Sequence, residues 1–228
     1  MSIQKKDYVE VIYNETERPY TSYPDQLTRY LVDRYSLTEN QKILDLGCGR
    51  GEFLKGFNNC GLLGHGVDQS SMAKALCPSS EIRSANLEVD AIPFEDETFD
   101  VVYSKSFLEH FYYPEKLVTE IFRVLKPGGK VITLVPDWEV VFKTFYEDYT
   151  HRTPFTQTSL KDIFVIHGFE SVNSEKFYQL PYLWEKPWLL LSTKLFALLA
   201  PSSLRSHSKL VRFSQEVMLL SSAIKPKQ

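Results

Sequence analysis

Short apolar runs alternate along this chain with longer stretches in which apolar residues recur at every third or fourth position. Ile43, Leu44 and Leu46 form a run expected of a strand buried on both faces of a parallel sheet. Glycines follow at 47, 49 and 51, and the pattern then predicts a helix from Gly51 to Cys60. A second strand runs from Leu62 to Val67 and ends at Asp68. Ser70 to Leu76 suits a short helix stopped by Pro78, and Glu81 to Ala85 is a weak third strand followed by Asn86-Leu87-Glu88. Ile92-Pro93-Phe94 anchors an acidic turn that leads into a β-branched fourth strand around Val101. Pro114 to Leu125 is a helix with Leu117, Val118, Ile121, Phe122 and Leu125 inward. Lys126-Pro127-Gly128-Gly129 stops it and turns the chain into strand five, Lys130 to Val135.

The flanks follow the same rules. Pro24 to Tyr35 reads as a helix capped by Ser22, with Leu27, Tyr30, Leu31 and Tyr35 at helical spacing. Its region is rich in tyrosine (Tyr8, Tyr13, Tyr20, Tyr23, Tyr30, Tyr35), which fits either a cover for one sheet face or a lid over a pocket. Downstream, Ser159 to His167 is a helix closed by Gly168, and Phe169 to Tyr178 alternates like a strand. Gln179 to Phe213 is an insertion, Glu216 to Ile224 is an apolar strand, and Lys225 to Gln228 is a tail. Strands alternating with helices of this length demand a parallel sheet with right-handed crossovers, and ligands of such sheets sit at the strands' carboxyl ends. The glycine loop, Asp68, Asn86 and the segment Ser104 to His110 all fall there.

The composition narrows the function. With 228 residues, 43% hydrophobic, 24% charged and a net charge of −3, the chain suits one α/β domain with a small appendage. No basic patch recommends a nucleic-acid substrate. Three cysteines, Cys48, Cys60 and Cys77, fit no zinc spacing, and reduced thiols in a cytoplasmic protein are the simple expectation. The polar stretch from Met1 to Lys6 gives no expectation of a signal peptide. No metal cluster is expected, because His65, His167 and His207 stand apart without carboxylate spacing.

Glycines at a strand-to-helix turn allow close ligand approach, and the helix start offers free N–H groups. A dinucleotide fingerprint would place its third glycine at position 52, which is Glu52, so an NAD enzyme is disfavoured. Asp68, about 20 residues past the loop, is placed to take both hydroxyls of a ribose. Asp45-x-Gly47-x-Gly49-x-Gly51 resembles motif I of class I S-adenosylmethionine (SAM) methyltransferases. The run from Ile92 through Leu134 resembles the signature of their ubiquinone/menaquinone-type, or type 11, methyltransferase domain, and the match covers about Lys42 to Val135.

That resemblance implies an α/β, Rossmann-like, doubly wound and mostly parallel seven-stranded sheet with an antiparallel last strand. It divides the chain into an N-terminal helical cap (1–40), a SAM-binding core (41–178), a helical insertion or lid (179–214) and a final strand with tail (215–228). It also implies that Gly47 and Gly49, with Cys48 between them, pass beneath the methionine part of SAM, that Asp45 lies near its amino group, and that Asp68 holds the ribose beside Gln69. Asn86 replaces an acid that usually reads the adenine amine, with the Leu87 backbone next to it. Ser104 and the segment Leu108 to His110 would flank the methionine and methyl group.

His151-x-x-Pro154-Phe155-Thr156, a helix and Gly168-Phe169 also resemble methyltransferases of polysaccharide and lipopolysaccharide biosynthesis. The expected function is methyl transfer to a small-molecule acceptor, most readily O-methylation of a sugar, glycan or lipid-linked intermediate. The alternative is a non-catalytic SAM-binding module.

A hydroxyl acceptor benefits from a general base. His110, His151 and Asp137 are the candidates, against a pocket-wall role for His110 and a loop-bracing role for His151. Within the insertion, Pro187 to Leu199 is apolar around most of its helical circumference. Such a helix is expected to be buried as a lid over the active-site mouth, or else by a second subunit, an apolar acceptor or a membrane surface. Ser192, Thr193 and Lys194 break it as a membrane span, while Lys186, Lys194, Arg205, Lys209 and Arg212 permit an anionic surface. A monomer or a homodimer fits these readings.

Overall fold

A computed structural model describes residues 19–200 and 208–227. Tyr8 and Tyr13 of the tyrosine-rich region, and Arg205 and His207 of the insertion, lie outside the described residues. Seven strands form one sheet: β1 Lys42–Leu46, β2 Leu63–Asp68, β3 Glu81–Ser84, β4 Phe99–Lys105, β5 Leu125–Pro136, β6 Glu170–Tyr178 and β7 Val217–Ile224. Their spatial order is β3-β2-β1-β4-β5-β7-β6. β1 to β5 pair in parallel, and β7 runs antiparallel to both β5 and β6.

Adjacent residues of a strand face opposite sides of the sheet, and here both sides are covered. Leu44, Leu46, Val102, Val131 and Val135 join one core with Leu117, Val118 and Ile121 of the helix α4 (Pro114–Val124). Ile43, Val101, Tyr103, Ile132 and Leu134 join the other with Leu27 and Leu31 of α1 (Tyr23–Tyr35) and Phe57 of α2 (Glu52–Asn59). The continuous apolar runs are the signature of this double burial.

α1 and α2 approach so closely that a Cβ on Gly56 would strike Thr28, whose hydroxyl is turned back to the Pro24 carbonyl at 3.0 Å. The tyrosines of α1 pack into this cover. Tyr23 and Tyr30 contact Trp184, while Tyr20 stacks on Arg50 of the glycine turn with 4.4 Å from guanidinium to ring centre. Ser22 holds the N-cap position without capping, since its hydroxyl takes the Gln26 side chain instead, at 2.9 Å.

Three other expectations shift. The Lys126–Gly129 stretch belongs to β5, which starts at Leu125 beside Phe99 and absorbs the extra residues in a register shift before Val101 pairs with Lys130. The helix expected at Ser159 starts at Gln157 (α6, Gln157–Ile166), because Thr156 and Ser159 form a reciprocal capping box. The short helix after β2 is only Ala73–Leu76 (α3).

The insertion departs most. It comprises α7 (Pro181–Glu185), a 3-10 turn (Pro187–Leu189), α8 (Leu190–Leu199) and α9 (Lys209–Gln215). The expected burial of 187–199 as an intramolecular lid does not occur: Trp188, Leu191 and Leu198 are 75%, 80% and 81% exposed, and only Thr193 of α8 is buried. The reason is that α7 already fills the space against the sheet, where Trp184 stacks on Phe177 at 5.4 Å and Leu183 is buried. Among the described residues no helix is long and apolar enough to cross a membrane.

Candidate functional site

β1 and β2 deliver the first part of the site at their carboxyl ends. Gly47 and Gly49 have φ of +73° and +50°, a region that favours glycine. A Cβ on Gly47 would overlap the Phe107 ring, whereas one on Gly49 would meet nothing within 4 Å. Gly49 therefore borders open space. Its N–H donates to Asp68 Oδ2 at 2.8 Å, and Ser70 N–H donates to Asp68 Oδ1 at 2.8 Å. Asp68 thus ties the second strand to the glycine turn. Asp45 is buried, and its Oδ2 has no hydrogen-bond partner among the described residues. Burial and the nearby Asp68 charge push its carboxyl pKa well above the usual range. A bare, buried acceptor next to an open glycine turn is suited to an incoming ammonium group.

The other residues expected at the cofactor differ in what their side chains do. The Cys48 side chain packs with Leu54, Ala73, Cys77 and Ile82, where burial raises its thiol pKa, so only its backbone belongs to the turn. Ser104 brings no free hydroxyl: its Oγ shares a 2.6 Å hydrogen bond with Thr133 Oγ1, buried between β4 and β5. The Leu87 side chain lies in the core. Asn86 is exposed, and its Oδ1 accepts from Glu88 N–H at 3.2 Å, capping a turn. Gln69 is exposed just past β2.

The second part of the site comes from two segments far apart in sequence. Leu108–His110 forms a 3-10 turn after β4, and the stretch from Phe145 to Thr153 folds back onto it. Arg152 and Thr153 N–H donate to the Glu109 carbonyl at 2.8 and 3.0 Å, and Thr153 Oγ1 donates to the Phe111 carbonyl at 2.8 Å. This clamp sets the His110 and His151 rings 4.9 Å apart.

Their tautomers follow from their partners. His151 Nδ1 lies 2.6 Å from the Phe145 carbonyl, which only accepts, so Nδ1 carries the proton. Thr150 Oγ1 donates to Asp148 Oδ1 at 2.6 Å and so accepts from His110 Nδ1 at 2.9 Å. Both Nε2 atoms are left with a lone pair, and that of His151 lies 4.0 Å from Asp148 Oδ2.

The electrostatics are uneven. Burial, then the neighbouring His151, lowers the His110 pKa. Against the upward push of burial, the Thr150 hydroxyl and N–H hold Asp148 below the usual carboxylate range. Glu109 is 0% exposed with neither carboxylate oxygen hydrogen-bonded among the described residues, and burial raises its pKa to about 8.

Asp137, the third base candidate, caps the short helix α5 (Trp138–Val141). Its Oδ1 accepts from Glu139 N–H at 3.1 Å, and Lys176 Nζ sits 3.1 Å from its Oδ2. Sequence reasoning included Glu109 in the segment Leu108 to His110 without giving it a role, and missed Asp148 and Thr150, whose role depends on the folding back.

A glycine turn, an acid at the end of β2 and a seven-stranded sheet of this order define the class I SAM-dependent methyltransferases. Residues 44–133 match the family described as methyltransferase domain, and the chain belongs to that family. It is 33% identical over 162 residues to an uncharacterised protein of Methanocaldococcus jannaschii, covering 68% of each chain. It is 30% identical to phosphoethanolamine N-methyltransferase 2 of Caenorhabditis elegans over 59% of this chain and 34% of that one. Among solved structures, a SAM-dependent methyltransferase from Archaeoglobus fulgidus superposes with a TM-score of 0.67 at 22% identity, covering 95% of this chain and 100% of that chain. The chain spans 64%, 47% and 65% of the length of three further curated relatives.

Proposed function

We propose that this protein transfers a methyl group from SAM to a hydroxyl of a sugar, glycan or lipid-linked acceptor. The observation that carries this reading is the clamped histidine pair just past β4, whose rings lie 4.9 Å apart with His110 Nδ1 bonded to Thr150 and His151 Nδ1 bonded to the Phe145 carbonyl. On the cofactor side, the bare Asp45 oxygen is the acceptor for the methionine ammonium, Gly49 leaves room for the backbone of that group, and Asp68 serves the ribose hydroxyls. SAM supplies a methyl on a sulfonium that departs as a neutral thioether. The protein's task is to align the acceptor, exclude water and take the hydroxyl proton. In the metal-free protein His151 Nε2 takes that proton, and the Phe145 carbonyl stabilises the imidazolium through Nδ1. Exposed tyrosines on both segments, Tyr112, Tyr113, Tyr146 and Tyr149, offer faces to which the C–H side of a sugar can pack.

The lipid-linked form of the acceptor is supported by α8. It presents Trp188, Leu191, Leu195, Phe196, Leu198 and Leu199 to solvent. From Lys186 to Gln215 the sequence has five Lys or Arg and no Asp or Glu, in a chain of net charge −3. An apolar helix within a cationic segment complements an anionic lipid surface.

The test is formation of S-adenosylhomocysteine from SAM with a panel of glycan, lipid-linked and amine acceptors. His151→Ala is expected to lower turnover about 10²–10⁴-fold with SAM affinity unchanged. Turnover held within a few-fold would leave His151 as a loop brace. Turnover of amines alone would replace the hydroxyl reading.

A further inference from the structure

We propose that Glu109, His110 and His151 bind a divalent first-row transition cation, such as Zn²⁺ or Mn²⁺, where the stretch from Phe145 to Thr153 folds onto the 3-10 turn after β4. A carboxylate oxygen of Glu109 and one ring nitrogen of each histidine all lie within 4.8 Å of one another. Ligand bonds of about 2.0–2.2 Å place such atoms roughly 3–4 Å apart, so side-chain rotations that close their separations by about 1–2 Å complete the set.

Two further observations point to a ligand. Glu109 is fully buried, and both its oxygens lack a hydrogen bond among the described residues. Burial outweighs the attraction of Lys105 and disfavours the charged carboxylate, and a cation bound directly to its oxygens offsets that cost. Both histidines also have the outer bonds typical of metal ligands. His151 Nδ1 donates to the Phe145 carbonyl, and His110 Nδ1 donates to Thr150, itself held by Asp148. Such bonds orient the ring and direct the other nitrogen at a metal. Two imidazoles and one carboxylate favour zinc, manganese, iron or cobalt over the all-oxygen sites of magnesium and calcium. Three protein ligands leave positions open for an acceptor.

The binding claim stands by itself; only its catalytic role rests on the methyl-transfer reading. An acceptor hydroxyl in an open position becomes more acidic through the cation and loses its proton to water. The oxygen lone pair then forms the bond to the methyl carbon, and the carbon–sulfur electron pair returns to sulfur. The products are the methyl ether, S-adenosylhomocysteine and the released proton. In this state the histidines act as ligands, and the cation replaces His151 as the agent that makes the oxygen nucleophilic.

The test uses the full chain, stripped with chelator and titrated calorimetrically with Zn²⁺, Mn²⁺ and Mg²⁺ in the absence of SAM. One equivalent of Zn²⁺ or Mn²⁺ is expected, bound at least tenfold more tightly than Mg²⁺. Glu109→Gln and His151→Gln, each checked for folding by circular dichroism, should weaken it at least tenfold, while Cys60→Ser should leave it unchanged. No binding to the folded wild type, or equal binding in both site variants, overturns the proposal. Turnover that survives chelation with no bound metal overturns the catalytic role of the cation and leaves methyl transfer by the histidine base standing. Stoichiometric metal with no turnover on any acceptor supports the site and counts against the proposed acceptors.

Discussion

At Gly49 the backbone is left-handed and the space beyond it is open, so a side chain there damages ligand binding more than folding. Gly49→Val is expected to abolish SAM binding measured by calorimetry while the protein still unfolds cooperatively. Asp68→Ala removes the acceptor for the Gly49 and Ser70 N–H groups and, on the proposed reading, the acceptor for the ribose. SAM affinity should fall by on the order of 1.5–3 kcal/mol, and unchanged affinity in a folded variant would remove Asp68 from the cofactor site. Glu109 makes a prediction about pH. Its folded pKa of about 8 lies above the ordinary 4.5, so between those values the folded state holds a proton that the unfolded state has lost. Stability from this group is therefore present below pH 4.5 and is lost as pH rises toward 8, with a slope of about 1.4 kcal/mol per pH unit. In chelator-treated protein, denaturant unfolding of Glu109→Gln against wild type should show that slope disappear. Parallel pH profiles would mean that Glu109 is charged in the folded state.

Elements differ in how completely they are satisfied. α1 buries Leu27 and Leu31 fully against Phe57 and Tyr103, and truncating Leu27 to Ala should cost about 2–5 kcal/mol of unfolding free energy in denaturant titrations. α8 is the opposite case, since its leucines lie on the outside and Thr193, bonded to Tyr182 at 2.9 Å, is its buried residue. Co-sedimentation with vesicles containing anionic lipid should carry the wild-type protein down at low salt and release it at high salt. Leu191→Glu combined with Leu198→Glu should stay in the supernatant with unchanged Tm, because neither side chain contributes to the core. Wild type remaining in the supernatant at low salt would refute the lipid contact.

Across the whole molecule, the sequence by itself determined the cofactor half. Periodicity placed β1 to β5 and their helices within a few residues, because a strand buried on both faces must be apolar throughout and its turn must be glycine-rich. Local chemistry also marked the glycine turn and Asp68, which consecutive strand ends bring together by topology alone, while Asp45 was marked by the family resemblance. Only the tertiary structure decided which strand-end side chains are taken up elsewhere: Cys48 and Ser104 occupy strand-end positions, yet packing and a neighbouring hydroxyl claim them. The pairing of His110 with His151 likewise depended on backbone bonds from Arg152 and Thr153 to Glu109, a contact between segments some forty residues apart that leaves no periodic trace. The insertion completes the contrast. Its apolar character was legible, but whether it is covered depends on space already taken by α7, and competition for a surface is a property of the folded molecule rather than of any stretch of sequence.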